Sequence, residues 1–159
     1  MPKSTTRLKI SQKWSRVWLL FEVHEIHMNN AYNWYSTLEK PTWAPPSSLF
    51  GPVWSVLYII IAITYGTVFY KVYTKELPAI VALPFVLNLI FNFSFTYFQF
   101  GLKNNLLASI DILLVLATLV WALLAIYPHI KWIAFASTPY LLWVSFATIL
   151  QLTITWMNK

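Results

Sequence analysis

The chain contains no cysteine, only three glycines among its 159 residues, and five acidic side chains. Without cysteine there are no disulfides, no thiolate nucleophile and no cysteine-ligated metal. Scarce glycine and short connections between apolar runs favour a compact antiparallel helical bundle. Charged residues make up 10% of the chain, where a soluble domain carries about a quarter. That deficit points to a membrane as the solvent. No basic groove motif accompanies the positive charge, so a nucleic-acid partner is not expected.

What is present is apolar and aromatic. Hydrophobic residues account for 58% of the sequence, and mean hydropathy is +0.61. Residues 52–70, 77–101 and 132–157 carry no charge, and 105–127 carries only Asp111. Each run meets the roughly 18–20 residues a helix needs to cross hydrocarbon. The expected fold is all-α, a multi-pass membrane bundle in one domain over residues 1–159. Five of the eleven basic residues fall in the first sixteen positions (Lys3, Arg7, Lys9, Lys13, Arg16). A basic tail over residues 1–13 is expected on the cytoplasmic side, the membrane being the cell membrane if the chain is bacterial.

Residues 10–34 fit this scheme least well. Trp14, Val17, Trp18, Phe21 and Met28 recur at helical spacing, yet Lys13, Arg16, Glu22, His24, Glu25 and His27 share the segment. Ionised groups near a helix centre cost a few kcal/mol each on insertion scales. The segment is an atypically polar first helix, so the count is five helices with four good spans. His24 and His27 lie three apart, which is not HExxH spacing, and a solvated polar face is expected there rather than a metal site.

Between this segment and the next run lies a strap, residues 35–51, with Pro41, Pro45 and Pro46 inside it and Pro52 directly after it. Proline fixes φ and removes a backbone donor, so the strap is stiff and non-helical, and its rings suit the membrane boundary. It reads as a lid. Further on, Asn88, Asn92, Thr96 and Gln99 form an inward stripe at spacings of four, four and three. Two uses are open to it: hydrogen bonding between helices, or lining a cavity. Pro84 marks a bend. Asp111 stands two turns into its helix, where it either bonds a neighbouring helix or interfacial water, or serves function. One helix is expected over 132–157, with Trp143, Ala147 and Gln151 on one face. Such a face packs against a neighbour or lines a pocket.

These residues resemble one family. Trp34-Tyr35, Leu38, Lys40-Pro41, Trp43, Pro45-Pro46, Gly51-Pro52-Val53-Trp54 and Leu57-Tyr58 reproduce the loop pattern of the TspO/translocator protein family. The likeness continues at Asn92, at Phe100-Gly101-Leu102-Lys103-Asn104, at Asp111, and at Pro139-Tyr140-Leu141-Leu142-Trp143 with Phe146-Ala147-Thr148. The resemblance implies a five-helix membrane receptor or sensor. It implies binding of porphyrins such as protoporphyrin IX or haem-type tetrapyrroles, and of isoquinoline or benzodiazepine-type ligands, under the loop. On matching positions the ligand-binding residues would be Tyr35, Trp54, Tyr58, Asn88, Asn92, Trp143 and Ala147. No cofactor is required, porphyrin being a ligand, and no metal site is implied. The expected partners are an apolar small molecule and the bilayer, with a homodimer as a further option.

The alternatives are light-dependent porphyrin breakdown, in which Trp54 and Trp143 would be the oxidised residues, and transport of tetrapyrrole or apolar cargo. No nucleophile–base pair supports other enzymology, and no two-half repeat supports alternating access. The chain departs from the family pattern at Phe95, at Gln99 and Gln151, in leucines such as Leu83 and Leu87 on the dimer face, and in a missing cholesterol-recognition segment.

Overall fold

The computed structural model describes residues 33–159. The basic tail, most of the polar 10–34 segment and its histidines lie outside the described residues. The chain divides into a unit ending at Leu38 and a unit from Glu39 to Lys159. In the first, the Ser36 and Thr37 hydroxyls donate to the carbonyls of Asn33 and Trp34. Tyr35 belongs to this unit, and its carbonyl accepts from Leu38 N–H at 3.3 Å.

The second unit is all-helical among the described residues. Pro46, in extended conformation, caps a 3₁₀ turn, Ser47–Leu49, that leads straight into α1, Phe50–Tyr73. Pro52 sits in the first turn of α1, where a missing N–H leaves nothing unpaired. The helix stops in a turn where Lys75 adopts φ 63° and the Lys71 carbonyl accepts from both Glu76 and Leu77 N–H. Lys71 Nζ and Thr74 Oγ1 both hydrogen-bond the Glu76 carboxylate, which holds that carboxyl below its usual range.

Pro78 then caps α2, Ala79–Thr96, which passes into a π-type turn, Tyr97–Gly101. The Asn104 side chain accepts from Leu107 N–H at 3.0 Å and so caps α3, Asn105–Ile126, satisfying one of the helix's orphan donors. The run expected as one helix over 132–157 is two: α4, Lys131–Ala136, and α5, Thr138–Met157, with Ser137 between them. Pro139 is the cause. It has no N–H to continue the ladder, so the chain breaks and α5 restarts with proline in its first turn.

Among the described residues, four helical segments are long and apolar enough to cross a membrane: Ser47–Tyr73, Ala79–Gly101, Asn105–Ile126 and Thr138–Met157. Helix α3 is central, packing against α2 on one side and α5 on the other. Its buried Val115, Leu119, Ala122 and Ile126 join Val81 and Phe85 of α2, Tyr140 and Val144 of α5, and Leu57, Ile61, Tyr65 and Val68 of α1. Outward positions stay apolar, among them Ile59, Ile63, Ile80, Ile90, Leu106, Leu124, Leu142 and Trp156. In water that surface would drive aggregation; in hydrocarbon it is the expected lipid-facing coat. Serine and threonine hydroxyls on the spans donate back to carbonyls one turn earlier, as Thr64, Thr67, Thr118, Ser145 and Thr148 do. None of these is left unpaired in lipid.

Candidate functional site

The amides of α2 are the natural place to begin, because burying an amide in hydrocarbon without partners costs on the order of 1–3 kcal/mol. Asn88 is fully buried and makes four hydrogen bonds. Its Oδ1 accepts from Tyr65 Oη of α1 at 2.8 Å and from Tyr140 Oη of α5 at 3.1 Å. Its Nδ2 donates to Val115 O at 2.9 Å and to Thr118 Oγ1 at 3.3 Å, both on α3. Two donors and two lone pairs are the whole capacity of an amide, so Asn88 is saturated. It pins four helices together.

One turn on, Asn92 is less committed. Its Nδ2 donates to Tyr140 Oη at 2.9 Å, and its Oδ1 accepts from Tyr58 Oη at 3.3 Å. One N–H and one lone pair remain beyond these bonds. Tyr58 is the exposed member of the network, and its ring lies nearly parallel to that of Phe93, 6.4 Å between centroids. Trp54 stands beside it, with ring contacts to Tyr58 at 5.4 Å and edge-on to Tyr140 at 6.4 Å.

The inward stripe on α2 follows Val81, Phe85, Asn88 and Asn92 to Gln99, all buried, whereas Thr96 is exposed. Thr96 is therefore not part of it: the buried line runs at spacings of four, three, four and seven, and skips Thr96. Gln99 is turned inward by the π-type turn. It meets Gln151 of α5, whose Nε2 donates to Gln99 Oε1 at 2.9 Å, while Gln99 Nε2 donates to Asn105 Oδ1 at 3.2 Å. Thr155 Oγ1 donates to Asn105 O at 3.1 Å and lies 2.6 Å from Ser109 Oγ. The two departures from the family pattern, Gln99 and Gln151, are thus partners in one buried cluster.

A groove opens between the strap, α1 and α5. Its volume is about 640 Å³, and Pro45, Leu49, Pro52, Val53, Val56, Leu57, Pro139, Leu142, Trp143 and Phe146 line it. Ring contacts build one wall: Trp143 meets Phe50 at 5.7 Å and Phe146 at 5.6 Å, and Trp43 of the strap meets Phe146 edge-on at 6.0 Å. Trp143 Nε1 is buried and has no hydrogen-bond partner.

Of the seven residues the sequence singles out, this groove takes in Trp143. Tyr58, Asn88 and Asn92 join the hydrogen-bonded network, with Trp54 against it, and Val53 rather than Trp54 stands with Trp143 in the groove wall. Ala147, half-buried, lies one turn along α5 from Trp143, and Tyr35 lies in the N-terminal unit. The groove residues that sequence reasoning passed over, Leu49, Val53, Val56, Leu142 and Phe146, are apolar side chains in apolar runs and carry no distinguishing signal.

Asp111 is 3% exposed, and its Oδ2 meets no donor. No donor from a neighbouring helix reaches that oxygen. Among the described residues no group of three or more histidine, aspartate or glutamate side chains comes together.

Four apolar spans among the described residues, buried amides hydrogen-bonded between helices and an apolar groove walled by Trp143 and Phe146 beneath a proline-rich strap define an α-helical integral membrane protein with a small-molecule-sized recess. Residues 17–157 match the TspO/MBR family, and the chain belongs to it. It is 40% identical to the tryptophan-rich protein TspO of Bacillus cereus over 62% of this chain and 63% of that protein. It is 34% identical to the membrane protein YtaB of Bacillus subtilis over 79% of this chain and 80% of that one. The human translocator protein is 39% identical over 52% of this chain and 49% of its own length. The match to the Bacillus cereus protein thus spans slightly less than two thirds of that relative.

Proposed function

We propose that the chain is a membrane receptor for flat, largely apolar ligands, porphyrins such as protoporphyrin IX and isoquinoline or benzodiazepine-type molecules, held in the groove beneath the strap. The observation that carries this reading is an aromatic recess of about 640 Å³ whose Trp143 keeps a buried, unspent N–H donor. That volume falls in the usual range for small-molecule sites, which combine apolar walls with few polar groups. A planar ring system gains dispersion and offset stacking on Trp143 and Phe146. A carbonyl or carboxylate oxygen on the ligand relieves the indole N–H, whose unmet hydrogen bond otherwise costs on the order of 1–3 kcal/mol. Ala147, a small side chain, stands one turn along α5 from Trp143.

The test is a titration of the protein in detergent with protoporphyrin IX, following tryptophan fluorescence. Saturable quenching, competed by an isoquinoline ligand, is the expected result; quenching that rises linearly without saturation would reject the site.

We infer from the basic tail that the N-terminus lies on the cytoplasmic side of the membrane, the cell membrane if the chain is bacterial. Because the chain has no native cysteine, a single Thr5→Cys variant reports this directly. In intact cells it is expected to resist a membrane-impermeant maleimide and to react after the cells are opened. Equal labelling before and after opening would reverse the orientation.

A further inference from the structure

We propose that Asp111 is a proton-binding site inside the membrane, a carboxyl that the bundle holds as the neutral acid. It is the only aspartate in the sequence. It stands two turns into α3, buried, with an oxygen that meets no donor. Asp111, Val115 and Thr118 recur at i, i+4 and i+7 and so share one face of α3. That face receives both N–H bonds of Asn88, at Val115 O and Thr118 Oγ1. A turn of a few residues joins α2 to α3, which makes the two antiparallel. One turn forward from Asn88 to Asn92 on α2 is therefore matched by one turn back from Val115 to Asp111 on α3. The bond from Gln99 Nε2 to Asn105 Oδ1 keeps the same register nearer the turn. Asp111 thus lies at the level of Asn92, between the Asn88 pin and the Gln99–Gln151 cluster.

An ionised carboxylate left unpaired at that depth is among the costliest groups a bundle can bury. A basic side chain, a bound cation or a proton can cancel the charge. No basic side chain does so among the described residues. Helix α3 packs against α2, α5, α4 and the π-type turn. Neither α2, α5 nor the turn contains lysine, arginine or histidine, and α4 holds Lys131, exposed at its first position. The other ionisable groups on these elements are Tyr97, which is exposed, and Tyr140, whose hydroxyl is spent on Asn88 and Asn92. Lys103, between the turn and α3, is exposed as well. A metal cation needs several oxygen ligands. The side-chain oxygens nearest in register are already hydrogen-bonded: Asn88 Oδ1 accepts twice, Asn92 Oδ1 accepts from Tyr58, and Thr118 Oγ1 donates to Leu114 O. A proton needs no such shell. The acid O–H can donate to a carbonyl one turn back, as the Thr118 and Thr148 hydroxyls do. The bundle thereby carries a titratable proton at the level of the Tyr58–Asn92–Tyr140 network.

The experiment uses the full chain in lipid bilayers. Cell-free synthesis with carbon-13-labelled aspartate marks the Asp111 side chain alone, because there is no second aspartate. At neutral pH we expect its infrared carbonyl stretch in the position of a protonated carboxyl, moving to lower frequency in heavy water. A second measurement follows thermal unfolding in detergent. Asparagine keeps the shape and neutrality of the acid, so Asp111→Asn should unfold at the wild-type temperature at neutral pH. The folded chain binds a proton that the unfolded chain releases, so wild-type stability should fall as pH rises, and Asp111→Asn should lose that part of the fall. A labelled band in the carboxylate position at neutral pH overturns the proposal. Such a band, together with stability that rises with sodium chloride but not with choline chloride, replaces the proton by a bound cation. Should Asp111→Asn fail to fold, the infrared band of the wild type decides the matter by itself.

Discussion

Replacing Trp143 by alanine is expected to weaken protoporphyrin IX binding by about ten- to a hundred-fold, the factor that 1.4–2.8 kcal/mol represents. A half-buried tryptophan in the wall of a recess contributes on this scale through area and ring geometry. Here the ring lies between Phe50 and Phe146 and forms part of the groove wall, so truncation removes both a stacking surface and the unspent N–H. Trp143→Phe separates the two. It keeps a ring but no donor, and its loss should fall between wild type and alanine for ligands with a carbonyl or carboxylate. Trp156→Ala is the control, since that indole is 70% exposed on the lipid-facing side and should change the fluorescence signal but not the affinity. Equal affinity for Trp143→Ala and wild type would exclude this groove as the porphyrin site.

The second large effect concerns stability. Asn88→Leu should destabilise the bundle by roughly 1–3 kcal/mol, measured as a shift in thermal or denaturant unfolding in detergent. The volume is nearly kept, so the cost comes from polar groups that lose partners. Tyr65 Oη is the one stranded most completely, because Asn88 Oδ1 is its recorded acceptor. Tyr140 keeps Asn92, and Thr118 keeps the Leu114 carbonyl. The prediction therefore has a built-in second test: adding Tyr65→Phe to Asn88→Leu should cost less than the sum of the two single changes. Asn92→Leu should be milder, since its bond to Tyr58 is long at 3.3 Å and reaches an exposed ring. Unfolding of Asn88→Leu indistinguishable from wild type would mean that the amide is not the pin described above. Hydrogen bonds between helices in bilayers average well below their apparent worth, so the direction and the non-additivity carry the test.

The two asparagines show where sequence reasoning stops. Asn88 and Asn92 are the same residue, one turn apart, on the same charge-free helix. Periodicity places both inward and cannot rank them. Their partners do: Asn88 spends all four hydrogen bonds on three other helices, whereas Asn92 spends two. Gln99 and Gln151 make the same point. In the sequence they are two separate departures from a pattern; in the fold they are one pair at 2.9 Å.

What the sequence determined by itself was local and compositional. Low charge and long apolar runs set the membrane as solvent and four of the spans. Proline marked the middle of the strap and the first turn of α1, although residues 35–37 and 47–51, read as part of a non-helical strap, are helical, and Asn104 opened α3. These signals act within a few residues of backbone, where φ restriction, caps and hydropathy are sufficient. The tertiary structure decided everything that depends on how two helices are rotated and slid against each other. It chose which amides are spent, set Val53 rather than Trp54 in the groove wall with Trp143, broke the last helix at Ser137, and tied Glu39 to Asn158 across 119 residues. A hydrogen bond of about 3 Å tolerates little error in register, and that register is a property of the packed bundle, not of any one segment.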